Sequence, residues 1–495
     1  MKQGLCVIHI DGLSHDELTR AIEDGLMPTV ASMLEAGYVA LPYRCGVPST
    51  TPCAQAGILY GDGASIPGFR WWDRKAGMVV RFGPSASFGQ VAHRFFRGRR
   101  PLCEGGACIA ACYPAGADET FGLSYRDRSY SGPGRNRSAG SVIGPWLANP
   151  AHLADMMLHG ATAVAGVAAH DLRARATGRP AAQAYVVSDM LEEVLLHHVT
   201  RYAMAQAMDT GYPAIYAAFY AYDETAHAFG PGDPYSRRML RHVDHSIRAA
   251  AERTDRYELI VLSDHGQVET VPLRSLAGRA LGEIVAGWLP GSRVDEHGGR
   301  TYGPERTPQA RVVICHSGGL SHVYFAPFPD RLDAGEVRRR FPGLVDRFAA
   351  TEGVHFVLMR DGQDNLVVTR SRELRFRADD AGQAADLLGQ FDDAAVVARQ
   401  LDRLNRCPDA GDLVLVGRWD GRRQVSFEEQ IGGHGSIGGA QLHPFLLVRQ
   451  RWGVDASNIE FADQLHPVLM GIRRELAGPQ KVIANGTPPA KHLPP

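Results

Sequence analysis

Three apolar runs that each stop at an aspartate constrain this chain more than any other feature. Gly4-Leu-Cys-Val-Ile-His-Ile10 ends in Asp11-Gly12, Ala214-Ile-Tyr-Ala-Ala-Phe-Tyr-Ala-Tyr222 ends in Asp223, and Leu259-Ile-Val-Leu-Ser263 ends in Asp264-His265-Gly266. Runs that stay apolar instead of alternating suit strands buried on both faces of a parallel sheet. Helix-period segments lie between them, one carrying Leu18, Ile22, Val30, Met33 and Leu34, another over 234–254. This alternation predicts an α/β fold: a doubly wound, mostly parallel sheet with helices on both faces. Ligands of such sheets gather at the carboxyl ends of the strands, where the three aspartates fall.

A fourth stretch, Gly46-Val-Pro-Ser-Thr-Thr-Pro-Cys-Ala-Gln-Ala-Gly-Ile-Leu-Tyr-Gly61, follows the strand-like 38–43. Ser49, Thr50 and Thr51 run into Pro52, and Cys53 to Tyr60 reads as a two-turn helix closed by Gly61. Proline suits the first helical position and a hydroxyl before it suits the N-cap. Thr51 thus stands where orphan amides and the helix dipole favour an anion. Capping the helix and attacking a bound oxyanion are both open to it.

At 495 residues the chain can bury a large core, and length alone predicts two or three domains. A net charge of −1 argues against a long nucleic-acid groove, so no stable nucleic-acid complex is expected. No apolar run reaches the length of a bilayer span, so no integral membrane segment is expected. The first strand begins at Gly4, which leaves no room for a signal peptide, and the eight cysteines show no zinc-knuckle spacing. A cytoplasmic protein with reduced thiols is the expectation. No pattern sets an oligomeric state. Between 76 and 198 the alternation fades into Gly, Arg and Ser, as in Ser129-Tyr-Ser-Gly-Pro-Gly-Arg135, and an inserted cap is expected there. The catalytic core is then 1–75 and 199–478, with further strands at 312–315, 323–325, 355–359, 413–416 and 445–448. Residues 479–495 read as a disordered tail.

The chemistry lies in Asp11, Asp223, His227, Asp264, His265 and His434, the last within Gly432-Gly-His-Gly-Ser-Ile-Gly-Gly439. Three aspartates, three histidines and a hydroxyl form the inventory of a two-metal hydrolase site. Asp223 and His227 are one helical turn apart, on one side of a helix. Mixed carboxylate and imidazole donors suit zinc, with manganese or iron as alternatives. Gly12, Gly266, Gly433 and Gly435 flank these positions and leave space for a metal or substrate. Each residue alone has a plainer reading: a strand-end Asp caps a helix, Asp223 and His227 pair as ions, His434 is an ordinary loop residue. The conjunction is what carries weight.

The order Asp11-Gly, Pro48-Ser-x-Thr51 with Gly61 ten residues on, Asp223-x-x-x-His227, Ser-Asp264-His265-Gly and Gly-His434-Gly resembles the alkaline phosphatase superfamily. It is most similar to the nucleotide pyrophosphatase/phosphodiesterase branch. The resemblance implies an alkaline-phosphatase-like core, a small-molecule phosphate ester substrate and two divalent ions, zinc foremost. It implies Thr51 as nucleophile with a phospho-threonine intermediate. Asp223, His227 and His434 would hold one ion, and Asp11, Asp264 and His265 with Thr51 the other. The chain departs from the pattern in Pro52-Cys-Ala-Gln55, where family diesterases carry Phe-Pro-Asn-His. It also has Trp72 near the place of an asparagine that binds a phosphoryl oxygen. Trp72, with Arg70 or Arg74, is the candidate substrate-binding group, and packing is the alternative. Aromatic faces there favour a phosphodiesterase over a phosphomonoesterase. A sulfatase would need Cys or Ser followed by x-Pro-x-Arg, and a metal-dependent phosphoglycerate mutase would need a serine nucleophile. A non-catalytic metal scaffold is the remaining alternative, and no ligand is missing to favour it.

Overall fold

Gly4–Ile10 is the central strand of an eight-stranded sheet in the computed structural model, which describes residues 4–81, 87–122, 135–136, 139–177, 187–299 and 311–478. It pairs in parallel with Ala214–Phe219 on one side and Tyr257–Leu262 on the other. All three are buried along nearly their whole length. Alternate side chains of the central strand feed two cores: Leu5 and Val7 join the helix Thr51–Tyr60, while Cys6, Ile8 and Ile10 join the helices Val187–Thr210 and Pro234–Ala251. The sheet is therefore covered on both faces, as a parallel sheet requires. The expected α/β class holds.

Phe445–Arg449 runs antiparallel between Tyr257–Leu262 and Tyr38–Pro42. On the opposite flank Ala107–Ile109, Glu119–Phe121 and Arg135–Asn136 extend the sheet in parallel. Part of the segment 76–198 thus continues the sheet instead of standing beside it. Its helices Pro150–Thr177 and Val187–Thr210 pack beside Ala221–Phe229 and Pro234–Ala251. The Gly/Arg/Ser stretch 129–134 and the tail 479–495 lie outside the described residues.

The strands expected at 312–315, 323–325, 355–359 and 413–416 exist, but not in the main sheet. They form a second, seven-stranded and mostly antiparallel sheet with its own core around Val323, Phe348 and Val357. A third, three-stranded sheet joins Arg423–Ser426, Val268–Pro272 and Gly432–Gly433, tying the loop before His434 to the strand after His265. All eight cysteines are buried free thiols. Among the described residues no helix is long and apolar enough to cross a membrane.

Candidate metal centre and nucleophile

Strand register does most of the assembly. Ile10 pairs with Phe219 and His9 with Leu262, so Asp11, Asp223 and Asp264 follow neighbouring strand ends on one edge of the sheet. Asp223 and His227 sit in the helix Ala221–Phe229 that begins as its strand stops. Gly433 pairs with Val268, which delivers His434 to the same edge.

Thr51 is the first residue of the wholly buried helix Thr51–Tyr60, and Gly61 ends it in the left-handed conformation at φ 72°. The N-cap is Thr50, one residue earlier than expected, and it makes no side-chain capping bond. Thr51 Oγ1 does not cap either. It lies 3.2 Å from His265 Nε2 and 3.4 Å from both carboxylate oxygens of Asp11. His265 Nε2 is 3.4 Å from Asp11 Oδ1 and 3.3 Å from Asp264 Oδ2. These separations are long for hydrogen bonds. They match the edges of a tetrahedron, because ligands about 2.0–2.1 Å from one zinc ion stand about 3.3 Å apart.

A second nest lies beside the first. His227 Nε2 is 3.1 Å from Asp223 Oδ2 and 3.1 Å from His434 Nε2, and His434 Nε2 is 3.8 Å from Asp223 Oδ1. The rings of His265 and His434 stack at 3.8 Å between the two nests.

The three imidazoles are oriented alike. Nδ1 of His227 faces Gly432 O at 2.9 Å, Nδ1 of His265 faces Gly266 O at 3.1 Å, and Nδ1 of His434 faces Ser49 O at 2.7 Å. A carbonyl only accepts, so each Nδ1 carries the proton and each Nε2 lone pair is turned to the nests. Asp264 Oδ2, buried, accepts no hydrogen bond from the described residues, although its Oδ1 accepts from Gly12 N and His265 N. An unpartnered buried carboxylate oxygen among three Nε2 atoms suits a divalent cation. The charge balance agrees. Burial and the neighbouring Asp264 and Asp223 push the Asp11 carboxyl well above its usual range. Burial opposes the His227 imidazolium too, yet Asp223 overcomes it and lifts that pKa to about 9, so a proton does there what a cation would do. His434 is pushed down to about 3 by burial and by His265.

Two further residues complete the arrangement. His9 Nδ1 lies 3.2 Å from Gln55 Nε2, and its Nε2 faces Asp264 Oδ1 at 3.0 Å. His9 Nε2 makes no hydrogen bond among the described residues, and with Asp11 and Asp264 it forms a buried trio whose donor atoms could share one ion. Gln267 donates to Asp223 Oδ1 at 2.5 Å and to Asp223 O at 2.9 Å. A histidine inside an apolar strand two residues before Asp11, on the same face, was the available sign of the first; Gln267 gave none beyond its nearness to His265.

The flanking glycines make room for the protein itself, not for a ligand. A Cβ on Gly12, at φ +74°, would collide with Asp223 Oδ1, and one on Gly435, at φ +101°, with Ser317 O. Arg70 and Arg74, expected near the substrate, are both engaged by protein groups. Arg70 Nη1 donates to Glu428 Oε1 at 2.8 Å and to His316 O, and its Nη2 to Gly299 O. Arg74 Nη2 donates to Asp412 Oδ1 at 2.8 Å while its guanidinium covers the Tyr324 ring. Both charges are committed to carboxylates far along the chain. Trp72 is buried in the core on the strand Arg70–Asp73, and its indole N–H finds no partner among the described residues.

The family described as type I phosphodiesterase / nucleotide pyrophosphatase matches residues 5–311, more than half of the chain. Among solved structures, phosphonoacetate hydrolase from Sinorhizobium meliloti 1021, in complex with phosphonoformate, is 14% identical with a TM-score of 0.50, covering 95% of each chain. Murine ectonucleotide pyrophosphatase / phosphodiesterase 5 is 12% identical with a TM-score of 0.48, again over 95% of each chain. No curated protein sequence matches significantly.

Proposed function

The chain belongs to the type I phosphodiesterase / nucleotide pyrophosphatase family, and on that premise we propose that it cleaves small-molecule phosphate diesters by attack of Thr51 on phosphorus. The family makes it a hydrolase of phosphoric esters. What carries the finer reading is the common orientation of His227, His265 and His434, each anchored through Nδ1 with Nε2 turned to the nests beside Thr51.

Asp223, His227 and His434 would hold one divalent ion, and Asp11, Asp264, His265 and Thr51 the other, with zinc favoured by the donor set. Such ions supply positive charge for the attacking, leaving and non-bridging oxygens. The protein's own part is positioning. The helix Thr51–Tyr60 aims the positive end of its dipole at the bound phosphate and holds Oγ1 rigidly for in-line attack. The Thr51 hydroxyl gives its proton to solvent as its oxygen bonds to phosphorus, the bond from phosphorus to the first ester oxygen breaks, and that oxygen takes a proton from water as it leaves. Water then cleaves the phospho-threonine and restores the hydroxyl. Gln267 keeps Asp223 from turning away.

Preference for diesters is supported by the commitment of Arg70 and Arg74 to Glu428 and Asp412. A monoester dianion brings one more negative oxygen, and neither guanidinium is free to meet it. The test is kcat/KM for a nitrophenyl monoester, a phenyl nitrophenyl diester, a nitrophenyl sulfate and phosphonoacetate on zinc- or manganese-loaded protein. The diester should lead. A monoester that turns over faster would make the protein a phosphomonoesterase, and no turnover of any substrate would leave a metal scaffold.

A further inference from the structure

The helix Pro150–Thr177 is turned inside out with respect to water. Its histidines point into the protein: His159 and His170 are buried, and His152 stacks on Trp146. Asp155 lies on the flank and pairs with Arg201 at 2.5 Å. The opposite face carries Ala151, Ala154, Leu158, Ala161, Ala165, Ala168 and Leu172, every one exposed. Their spacing is 3-4-3-4-3-4, the heptad period of a helix that packs along another helix. Met157 and Val164 flank the seam; the charged residues of the helix before Arg173, Asp155 and Asp171, are half-buried and lie beside the seam, not in it. The exposed large hydrophobic side chains among the described residues are Leu147, Leu153, Met157, Leu158, Val164 and Leu172, all on this helix or the one before it. Leu158 and Leu172 are 66% and 69% exposed.

We propose that this seam is the two-fold interface of a homodimer, formed by antiparallel pairing of Pro150–Thr177 with its copy. The pattern is self-complementary in that direction. Setting Ala161 against the partner's Ala165 places Leu158 against the partner's Ala168 and Leu172 against the partner's Ala154. Each leucine meets an alanine, which lets two backbones approach closely and evenly, and the helix dipoles oppose each other. Parallel pairing would stack leucine on leucine and alanine on alanine in uneven layers. The area also suffices. A helix of 28 residues is about 42 Å long. The four large side chains of the seam and its flank, Met157, Leu158, Val164 and Leu172, expose on the order of 400 Å², and the alanines bring the patch toward the ~800 Å² per partner of a stable interface. A membrane surface is the poorer occupant, because a helix lying on lipid carries a basic face toward the headgroups, and here the polar face is buried in the protein.

Sedimentation of the full chain at micromolar concentration should give a dimer. Leu158→Glu and Leu172→Glu, at positions too exposed to disturb folding, should each weaken it by ~10²-fold or more and leave diester hydrolysis per chain unchanged. The double variant Ala161→Cys/Ala165→Cys should form an interchain disulfide on mild oxidation, since the native cysteines are all buried. Leu172→Cys alone should not. A chain that stays monomeric, a dimer indifferent to both glutamates, or ready cross-linking of Leu172→Cys would overturn the proposal. So would anionic phosphatidylserine vesicles that bind the monomer through Leu158.

Discussion

Glu428 Oε1 accepts a hydrogen bond from Arg70 Nη1 at 2.8 Å, and both side chains are buried. Backbone amides of Gly299 and Gly318 also donate to Glu428, and although burial opposes its charge, Arg70 and these amides hold its pKa at about 2. Arg70 is thus a structural cation that ties the strand after the Thr51 helix to the second sheet. Arg70→Ala strands a buried carboxylate and should cost about 3 kcal/mol or more, read as a lowered midpoint in urea. The ratio of diester to monoester turnover should stay the same. A changed ratio at unchanged stability would mean that the guanidinium reaches substrate.

Thr51→Ala should lower turnover by at least ~10² while the fold persists, because it removes the attacking oxygen. Thr50 Oγ1 makes no hydrogen bond among the described residues, so Thr50→Ala should be nearly silent. Ser49 differs. Its Oγ donates to Ser436 O and accepts from Gly435 N, gripping the loop just after His434. Ser49→Ala should therefore raise the metal concentration needed for half-maximal activity and spare kcat at saturating metal.

Elemental analysis of zinc-reconstituted protein should find close to two equivalents per chain. Asp264→Asn keeps the acceptor for Gly12 and His265 on one oxygen but replaces the unpartnered oxygen with an amide. It should drop the content toward one equivalent. Chelator treatment of the parent should lower its melting temperature, since ligands that bind only the folded state stabilise it.

Three helices converge on the buried imidazoles of His159 and His198 and the half-buried one of His242. Burial and mutual repulsion push His159 down to about 2; burial with Arg201 pushes His198 to about 4, and burial brings His242 to about 4. Asp155 opposes these shifts, while Arg201 and His245 reinforce them. The unfolded imidazoles titrate near 6.5 and the folded ones below it, so unfolding takes up protons in that window. Stability should be full above pH 6.5 and fall steadily as pH drops toward 4, by on the order of 2 kcal/mol per group. His242→Gln should flatten the slope of melting temperature against pH between 6.5 and 4.5.

The legible part of the site was the part attached to strand ends. Asp11, Asp223 and Asp264 each follow an apolar run, and the run announces both the strand and the edge at which it stops. What stayed hidden depends on which strands become neighbours. His9 looks like an oddity in an apolar strand until Asp264 arrives beside it from 255 residues away. Arg70 and Arg74 lie close to Thr51 in sequence, but their carboxylates come from positions 428 and 412. Hydropathy revealed the strands near 312, 323, 355 and 413 without saying that they pair with one another, because a buried strand looks the same in either sheet. The helix starts one residue earlier than the sequence suggests: Pro52 tolerates the second helical position as readily as the first, and Thr50 is the cap.

The strand Phe445–Arg449 has a consequence for how the protein is made. It alone joins Tyr38–Pro42 to the main sheet, by pairing with it on one side and with Tyr257–Leu262 on the other. A chain emerging from the ribosome therefore carries Tyr38–Pro42 without its sheet neighbour until some four hundred further residues have been synthesised, and His434 arrives only just before. Until then the nascent chain bears an open strand edge. Pairing across some four hundred residues closes slowly. Truncations that remove the last strand should yield aggregates, not a smaller hydrolase.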